Sequence, residues 1–357
     1  MSDRVLIVAP NWLGDAVMAL PAIADVRQAF PSATLTIAAR ASVIDLFRMA
    51  PFVVGVTSPH NIQDVGADLG ILFPNSFRSA WLLKTAGVPQ RWGYRSDLRG
   101  RLLTRSVRRP SGSMHQGAYY QHLTRELGIE SGPLEPALTV SDAQRDAART
   151  FLAARGWEPT RALIVFAPGA AYGTAKRWIP AYVARVATQL VRERAATCVI
   201  VGSSGDRPTT IQVLGEIGAD AVTHVIDATG GTSLELLAGI LAVSQGCVAN
   251  DSGAMHLAAA IGTPLVAPFG PTNEFETAPL TREGRSAKVL THPVWCRPCM
   301  LRECPIDHRC MKGIRPERVL AALDSVQGGP EGPPLRPGAS VRPGASVRSV
   351  RLQPDLR

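Results

Sequence analysis

The chain has 357 residues, is 46% hydrophobic and carries a formal net charge of +9. That length suits two domains of ordinary size, and the apolar fraction is that of a globular protein. No apolar run reaches the ~20 residues that cross a bilayer, and the opening Met1-Ser2-Asp3-Arg4 has no signal-peptide pattern, so the sequence predicts a soluble protein of the cytoplasm.

The first predicted element is the strand Val5–Ala9, followed by the turn Pro10-Asn11-Trp12-Leu13-Gly14-Asp15 and a helical pattern from Ala16. An apolar run, a Gly-bearing turn and a helix make the first unit of a parallel sheet. Ligands of such sheets bind beyond the carboxyl ends of the strands, which is where Gly14 and Asp15 fall. The turn is not a dinucleotide fingerprint. Its one carboxylate suits a catalytic acid or base, and it equally suits a helix cap.

A helix over Ala22–Ala29 and strands over Thr34–Ala38 and Leu69–Phe73 follow. Then comes a basic stripe: Arg91, Arg95, Arg99, Arg101, Arg105, Arg108 and Arg109. Such a stripe fits a phosphorylated sugar or an anionic membrane surface, and it is also what a solvated face looks like. Little aromatic residue is interleaved and no nucleic-acid motif is present, which argues against nucleic acid.

A helix is predicted over Arg145–Ala154, and Gly156 and Pro159 break the rhythm before a fresh strand, Ala162–Ala167. Alternating strands and helices predict an α/β protein. We read two Rossmann-like domains, 1–157 and 158–327, with the active site in the cleft between them.

In the second half, Pro168-Gly169 through Thr174-Ala175-Lys176-Arg177 is a Gly-rich loop ahead of a helix at Ile179–Arg194. Its backbone N–H groups can face phosphate oxygens, and Lys176 adds a point charge; the other reading is a surface lysine. After the strand Thr197–Gly202, Asp206 stands where a carboxylate can accept ribose hydroxyls. Ser233 leads the helix Leu234–Ala242, in a turn whose backbone can edge an adenine. The strand Gly246–Asn250 ends in Asp251-Ser252-Gly253, with His256 in the helix Met255–Ile261. A capped helix start with a glycine beside it favours a diphosphate. The strand Leu265–Phe269 ends in Gly270-Pro271-Thr272, and the Thr272 hydroxyl can reach a phosphate or ribose.

Cys198 and Cys247 sit in apolar runs and read as buried small residues. Cys296, Cys299, Cys304 and Cys310 cluster with His308 among them. Their spacing leaves open a structural zinc, a redox-sensitive staple or reduced thiols in a compact loop. The cluster is expected to brace the loop after the last strand, away from the reacting centre. Residues 328–357 repeat Arg-Pro-Gly-Ala-Ser-Val and predict a disordered basic tail.

Taken in order, Pro10–Asp15, Pro168-Gly169 with Ala175–Trp178, Asn250–His256, Gly270–Thr272 and the four-cysteine segment resemble the family 9 glycosyltransferases, the ADP-heptose:lipopolysaccharide heptosyltransferases. The Asn-Trp-Leu-Gly-Asp opening and the cysteine segment look most like heptosyltransferase II, although Ala16–Pro21 is closer to the wider family. The resemblance implies a GT-B fold, with the acceptor in the first domain and ADP-heptose in the second. It implies an inverting transfer with no cofactor required. Asp15 aligns with the general base and Lys176 with the lysine on the donor phosphates. Asn11, Gly14, Gly169, Thr174, Asp206, Ser233, Asp251, Ser252, Gly253, His256 and Thr272 are then the substrate contacts. The implied partner is a lipid-A-linked inner-core oligosaccharide, met peripherally at the cytoplasmic face of the inner membrane. The alternatives are another family 9 glycosyltransferase with a different acceptor, a nucleotide-linked oxidoreductase, and a non-catalytic nucleotide-binding Rossmann protein or binding module.

Overall fold

The computed structural model describes residues 3–326. The basic repeat expected to form a disordered tail lies outside the described residues. Among the described residues, twelve strands form two parallel sheets of six. The first holds β1 (Arg4–Val8), β2 (Thr34–Ala38), β3 (Gly55–Thr57), β4 (Leu69–Leu72), β5 (Gln90–Tyr94) and β6 (Arg105–Val107). The second holds β7 (Leu163–Ala167), β8 (Thr197–Ile200), β9 (Val225–Asp227), β10 (Gly246–Ala249), β11 (Leu265–Phe269) and β12 (Ala287–Thr291).

The order is β3-β2-β1-β4-β5-β6 in the first sheet and β12-β11-β10-β7-β8-β9 in the second. Each is the doubly wound order, reversing between its first and fourth strands. The α/β fold of two Rossmann-like halves expected from the sequence is the one observed. The central strands are buried on both faces, as Val5–Val8 and Leu163–Ala167 show, so they read as continuous apolar runs.

Sequence patterning missed β3, β5, β6, β9 and β12. Three of them have only three residues, and Gln90-Arg91-Trp92-Gly93-Tyr94 opens on two polar residues. These are outer strands, where one-sided burial leaves little apolar signal. The helix predicted from Arg145 begins at Asp142, because Ser141 and Gln144 form a capping box. That helix, Asp142–Ala153, packs on the Leu234–Val243 helix of the second half, although it precedes the boundary expected at residue 157. Arg145 donates to the Ala242 carbonyl across this contact at 3.1 Å.

The two halves also meet where the Leu13–Met18 helix packs against the Gly253–Ile261 helix. Two glycines allow this. A Cβ on Gly14 would press on the His256 ring, and one on Gly253 would overlap Leu13. The two strand-order reversals, β1/β4 and β7/β10, therefore open toward each other.

Candidate active site

On the first half, the loop after β1 delivers Asp15 into the first turn of the Leu13–Met18 helix. Its side chain does not cap that helix; Trp12 is the cap residue and makes no side-chain bond. Asp15 instead accepts a hydrogen bond from Tyr120. Tyr120 comes from the Gln116–Glu126 helix, is buried, and stacks on Phe73 with ring centroids 5.3 Å apart. Asn11 and Trp12 are exposed at the same mouth.

On the second half, the loop after β7 carries Lys176 and the loop after β10 carries Asp251. The Lys176 ammonium donates to Asp251 Oδ2 at 2.7 Å, with both side chains largely buried. Thr277 Oγ1 approaches the same oxygen at 3.4 Å. The strand-end Asn250 fixes the geometry. Its Oδ1 accepts from the Trp178 N–H, and its Nδ2 donates to the Pro168 and Gly169 carbonyls. A Cβ on Gly169 would overlap the Asp206 carboxyl and push it aside. Asp206 thus lies against the β7 loop while also accepting from the Ser203 N–H and hydroxyl. Thr174 opens the short turn that ends at Lys176.

Two hydroxyls on these loops are buried and have no partner among the described residues: Ser252 Oγ and Thr272 Oγ1. A buried hydroxyl without a partner costs free energy. Ser252 is the cap residue of the nine-residue Gly253–Ile261 helix, whose first N–H groups lack intrahelical partners, and Thr272 lies in the loop after β11, the strand that pairs with β10. Ser233 is different. Its hydroxyl accepts from the Leu236 N–H at 3.1 Å and caps the next helix, which leaves its O–H able to donate.

The charges couple across the interface. Burial pushes the Asp15 carboxyl above the usual carboxylate range; Lys176 pulls it down and Asp251 raises it. Burial pushes His256 down to about 4, with His115 and Lys176 adding to this and Asp251 opposing it, so it is neutral at pH 7. The centre therefore holds a carboxylate of raised basicity, one cation with a carboxylate partner, and a neutral imidazole.

The cysteine segment is not remote from this centre. Cys299 and Met300 N–H groups both donate to the Pro271 carbonyl at 3.0 Å. The Arg302 carbonyl accepts from the Ala175 N–H at 2.9 Å, and the Tyr172 hydroxyl donates to the Met300 carbonyl at 2.7 Å. Arg297 donates to the Gly270 and Thr272 carbonyls and pairs with Glu274 at 2.6 Å. The segment is a strap across the β7 and β11 loops. All four cysteines are free. Among the described residues, no group of three or more His, Cys, Asp or Glu is placed to hold a metal ion. Of the readings that the spacing leaves open, the described residues show free thiols, with Cys310 buried in the apolar core and Cys296, Cys299 and Cys304 half-exposed.

The arginine stripe is corrected too. Arg99 is fully buried, and its guanidinium donates to the carbonyls of Tyr94, Pro74 and Ser76 and to Ser79 Oγ. Arg91 holds the Leu102 and Val88 carbonyls, and Arg105 lies over Trp92. Both of these sit at the amino end of their strands, away from Asp15. Only Arg95, Arg108 and Arg109 follow strands at the carboxyl edge, and all three are exposed.

Sequence reasoning missed Tyr120, Asn250, Tyr172 and Arg297 as parts of the site. Tyr120 sits in a polar-apolar helix with no motif, and the others act through backbone carbonyls that a motif does not show.

Residues 59–309 match the model of a family described as glycosyltransferase family 9 (heptosyltransferase). The lipopolysaccharide heptosyltransferase 2 of Salmonella typhimurium is 28% identical over 348 residues, covering 90% of this chain and 98% of that protein. A solved structure of Escherichia coli ADP-heptose lipopolysaccharide heptosyltransferase II superposes with a TM-score of 0.79 at 27% identity, covering 90% of this chain and 98% of that one. A family 9 glycosyltransferase from Veillonella parvula shares the fold, with a TM-score of 0.77 at 22% identity over 91% of this chain and 97% of that one.

Proposed function

The chain belongs to glycosyltransferase family 9, and from that premise we propose that it moves a heptose from ADP-heptose to the inner core of lipopolysaccharide, with inversion at the anomeric carbon. The observation that carries this reading is the opposition of Asp15 on one half to the Lys176–Asp251 pair on the other. A sugar donor with a diphosphate leaving group needs a base on one side and a cation on the other.

In the proposed step, Asp15 takes the proton of an acceptor hydroxyl as its oxygen bonds to C1 of the heptose. The C1–O bond to the diphosphate breaks, and ADP leaves with the electron pair. Lys176 neutralises the growing charge, and the Ser252 and Thr272 hydroxyls with the first N–H groups of the Gly253–Ile261 helix donate to the phosphate oxygens. The raised pKa of Asp15 suits it to this task, since a base is most effective when its pKa lies nearer the working pH. Asp206 and the Gly169–Thr174 loop line the nucleotide side; Asn11 and Gly14 line the acceptor side; His256, neutral and packed on Gly14, holds the two loops together. The chemistry needs no cofactor beyond the donor.

The division of labour follows the two sheets, with residues 1–157 for the acceptor and 158–327 for the donor. The acceptor is a lipid-A-linked oligosaccharide, so the reaction takes place at the cytoplasmic face of the inner membrane with the enzyme bound peripherally. Among the described residues no helix is long and apolar enough to cross a membrane. The test is transfer from ADP-heptose to core acceptors bearing no, one or two heptoses. Elongation of the one-heptose acceptor alone is expected. Elongation of a different acceptor makes the chain a family 9 transferase of other specificity, and transfer to none sinks the reading.

A further inference from the structure

The Phe77–Thr85 helix follows β4 and is capped by Ser76, whose hydroxyl accepts from the Ser79 N–H. Its inner face, Ser79, Ala80 and Leu83, is buried. Its outer face presents Phe77 and Trp81, 45% and 48% exposed, with Arg78 and Lys84 exposed beside them. The two rings stand one helical turn apart and stack, 6.2 Å between centroids at 17°. Two large aromatic rings paired in water are an uncommon use of a surface helix.

The first turn of this helix is tied to the loop after β5, where Leu98 is 96% exposed and held in the left-handed backbone region at φ 58°. A leucine there is strained, and such outliers persist only where the surroundings hold them. Here the holder is Arg99. Its buried guanidinium bonds Ser76 and Ser79 in the first turn of the aromatic helix, so Leu98 is pinned next to that helix with its side chain in solvent. Arg95 and Arg101 are exposed on the same short stretch. Against these four cations the neighbouring segments offer Asp97 and Asp64.

We propose that Phe77, Trp81 and Leu98, ringed by Arg78, Lys84, Arg95 and Arg101, form the surface by which the chain docks on an anionic lipid bilayer. Aromatic rings favour the headgroup level, where one end is apolar and the other wet. Lysines and arginines around them meet anionic headgroups. The combination of apolar tips with an excess of one charge sign matches a lipid surface better than a protein partner, whose interface core is depleted of charge. The position fits the work as well. Phe77 and Arg78 open the helix that follows β4, and Arg95 and Leu98 follow β5, so this end of the patch is at the carboxyl side of β4 and β5; β4 pairs with β1, whose loop carries Asp15. Docking here points the open mouth of the first half toward the membrane. The inference rests on the reading that the acceptor is lipid-anchored.

The experiment is co-sedimentation of the full chain with vesicles of phosphatidylethanolamine and phosphatidylglycerol, and with vesicles of phosphatidylcholine alone. Binding to the anionic vesicles that weakens with salt is expected. Phe77→Ser, Trp81→Ser and Leu98→Ser together should lower it by about tenfold or more, with the melting midpoint and the transfer rate to a lipid-free core acceptor unchanged. Arg78→Glu with Lys84→Glu should lower it by about fivefold for each cation lost, and serves if the triple variant does not fold. Equal binding to both vesicle types, or undiminished binding by these variants, overturns the proposal. So does a lipid-free dimer of the wild type that the serine variant abolishes, because the patch then belongs to a second copy. Loss of ADP-heptose transfer to every acceptor with vesicle binding intact would count against the proposed function and leave the docking surface standing.

Discussion

The two sheets share one strand order, and their carboxyl edges are built in opposite ways. The donor-side edge is pinned. Asn250 ties the β7 loop, Arg297 ties the β11 loop, and the 297–302 backbone straps the two together. The acceptor-side edge is open, with Asn11, Trp12, Arg95, Arg108 and Arg109 exposed along it. One buried side chain, Arg99, holds its loops from beneath. A pinned edge presents a fixed set of donors to one ligand; an open edge leaves room for a large acceptor. The difference teaches that a duplicated topology sets where ligands bind and leaves their chemistry to the loops.

The strongest way to break this comparison is at the reacting groups. Asp15→Asn should lower kcat by about 10²–10⁴ while ADP affinity, measured by calorimetry, stays within a few fold. Near-normal turnover would remove Asp15 from the role of base. Lys176→Ala should lower kcat by about 10²–10³ and raise the donor KM. Because it strands Asp251 without its cation, the melting temperature should fall as well, and an unchanged donor KM would detach Lys176 from the phosphates.

Next come the pins. Arg99→Ala should destabilise the protein by about 2–3 kcal/mol, since it removes several bonds from one charged donor to carbonyls, whereas Arg95→Gln should leave stability unchanged and raise only the acceptor KM. Denaturant unfolding of the two variants decides this; equal stability of both would return Arg99 to the surface stripe. Arg297→Ala should raise the donor KM with the acceptor KM unmoved, and a matched rise in both would mean that the strap serves the whole fold rather than the donor loops.

The smallest expected effect sharpens the chemistry. Burial raises the Asp15 pKa, and Asp15 acts only when deprotonated, so activity should fall as pH drops through a midpoint above the usual carboxylate range. Tyr120 donates to the charged form and lowers that pKa. Tyr120→Phe should therefore move the acid limb of the kcat profile to higher pH, by less than about one unit. A limb that stays in place would show that the hydroxyl does not face the base.

The sequence by itself determined the central strands, the loops that carry Asp15, Lys176 and Asp251, and the glycines beside them. These are local signals: an apolar run, a turn residue and a helix start lie within a dozen or so residues and need no distant partner. Tertiary structure alone decided the rest. It placed Lys176 on Asp251 from 75 residues away, and it set Tyr120 beside Asp15. It buried Arg99 under loops it holds, in a stripe where Arg95 stays exposed, although the two are identical as residues. It buried Cys310 in the core and left Cys296, Cys299 and Cys304 half-exposed. Burial and partners depend on which loops packing brings together, and spacing along the chain does not contain that information.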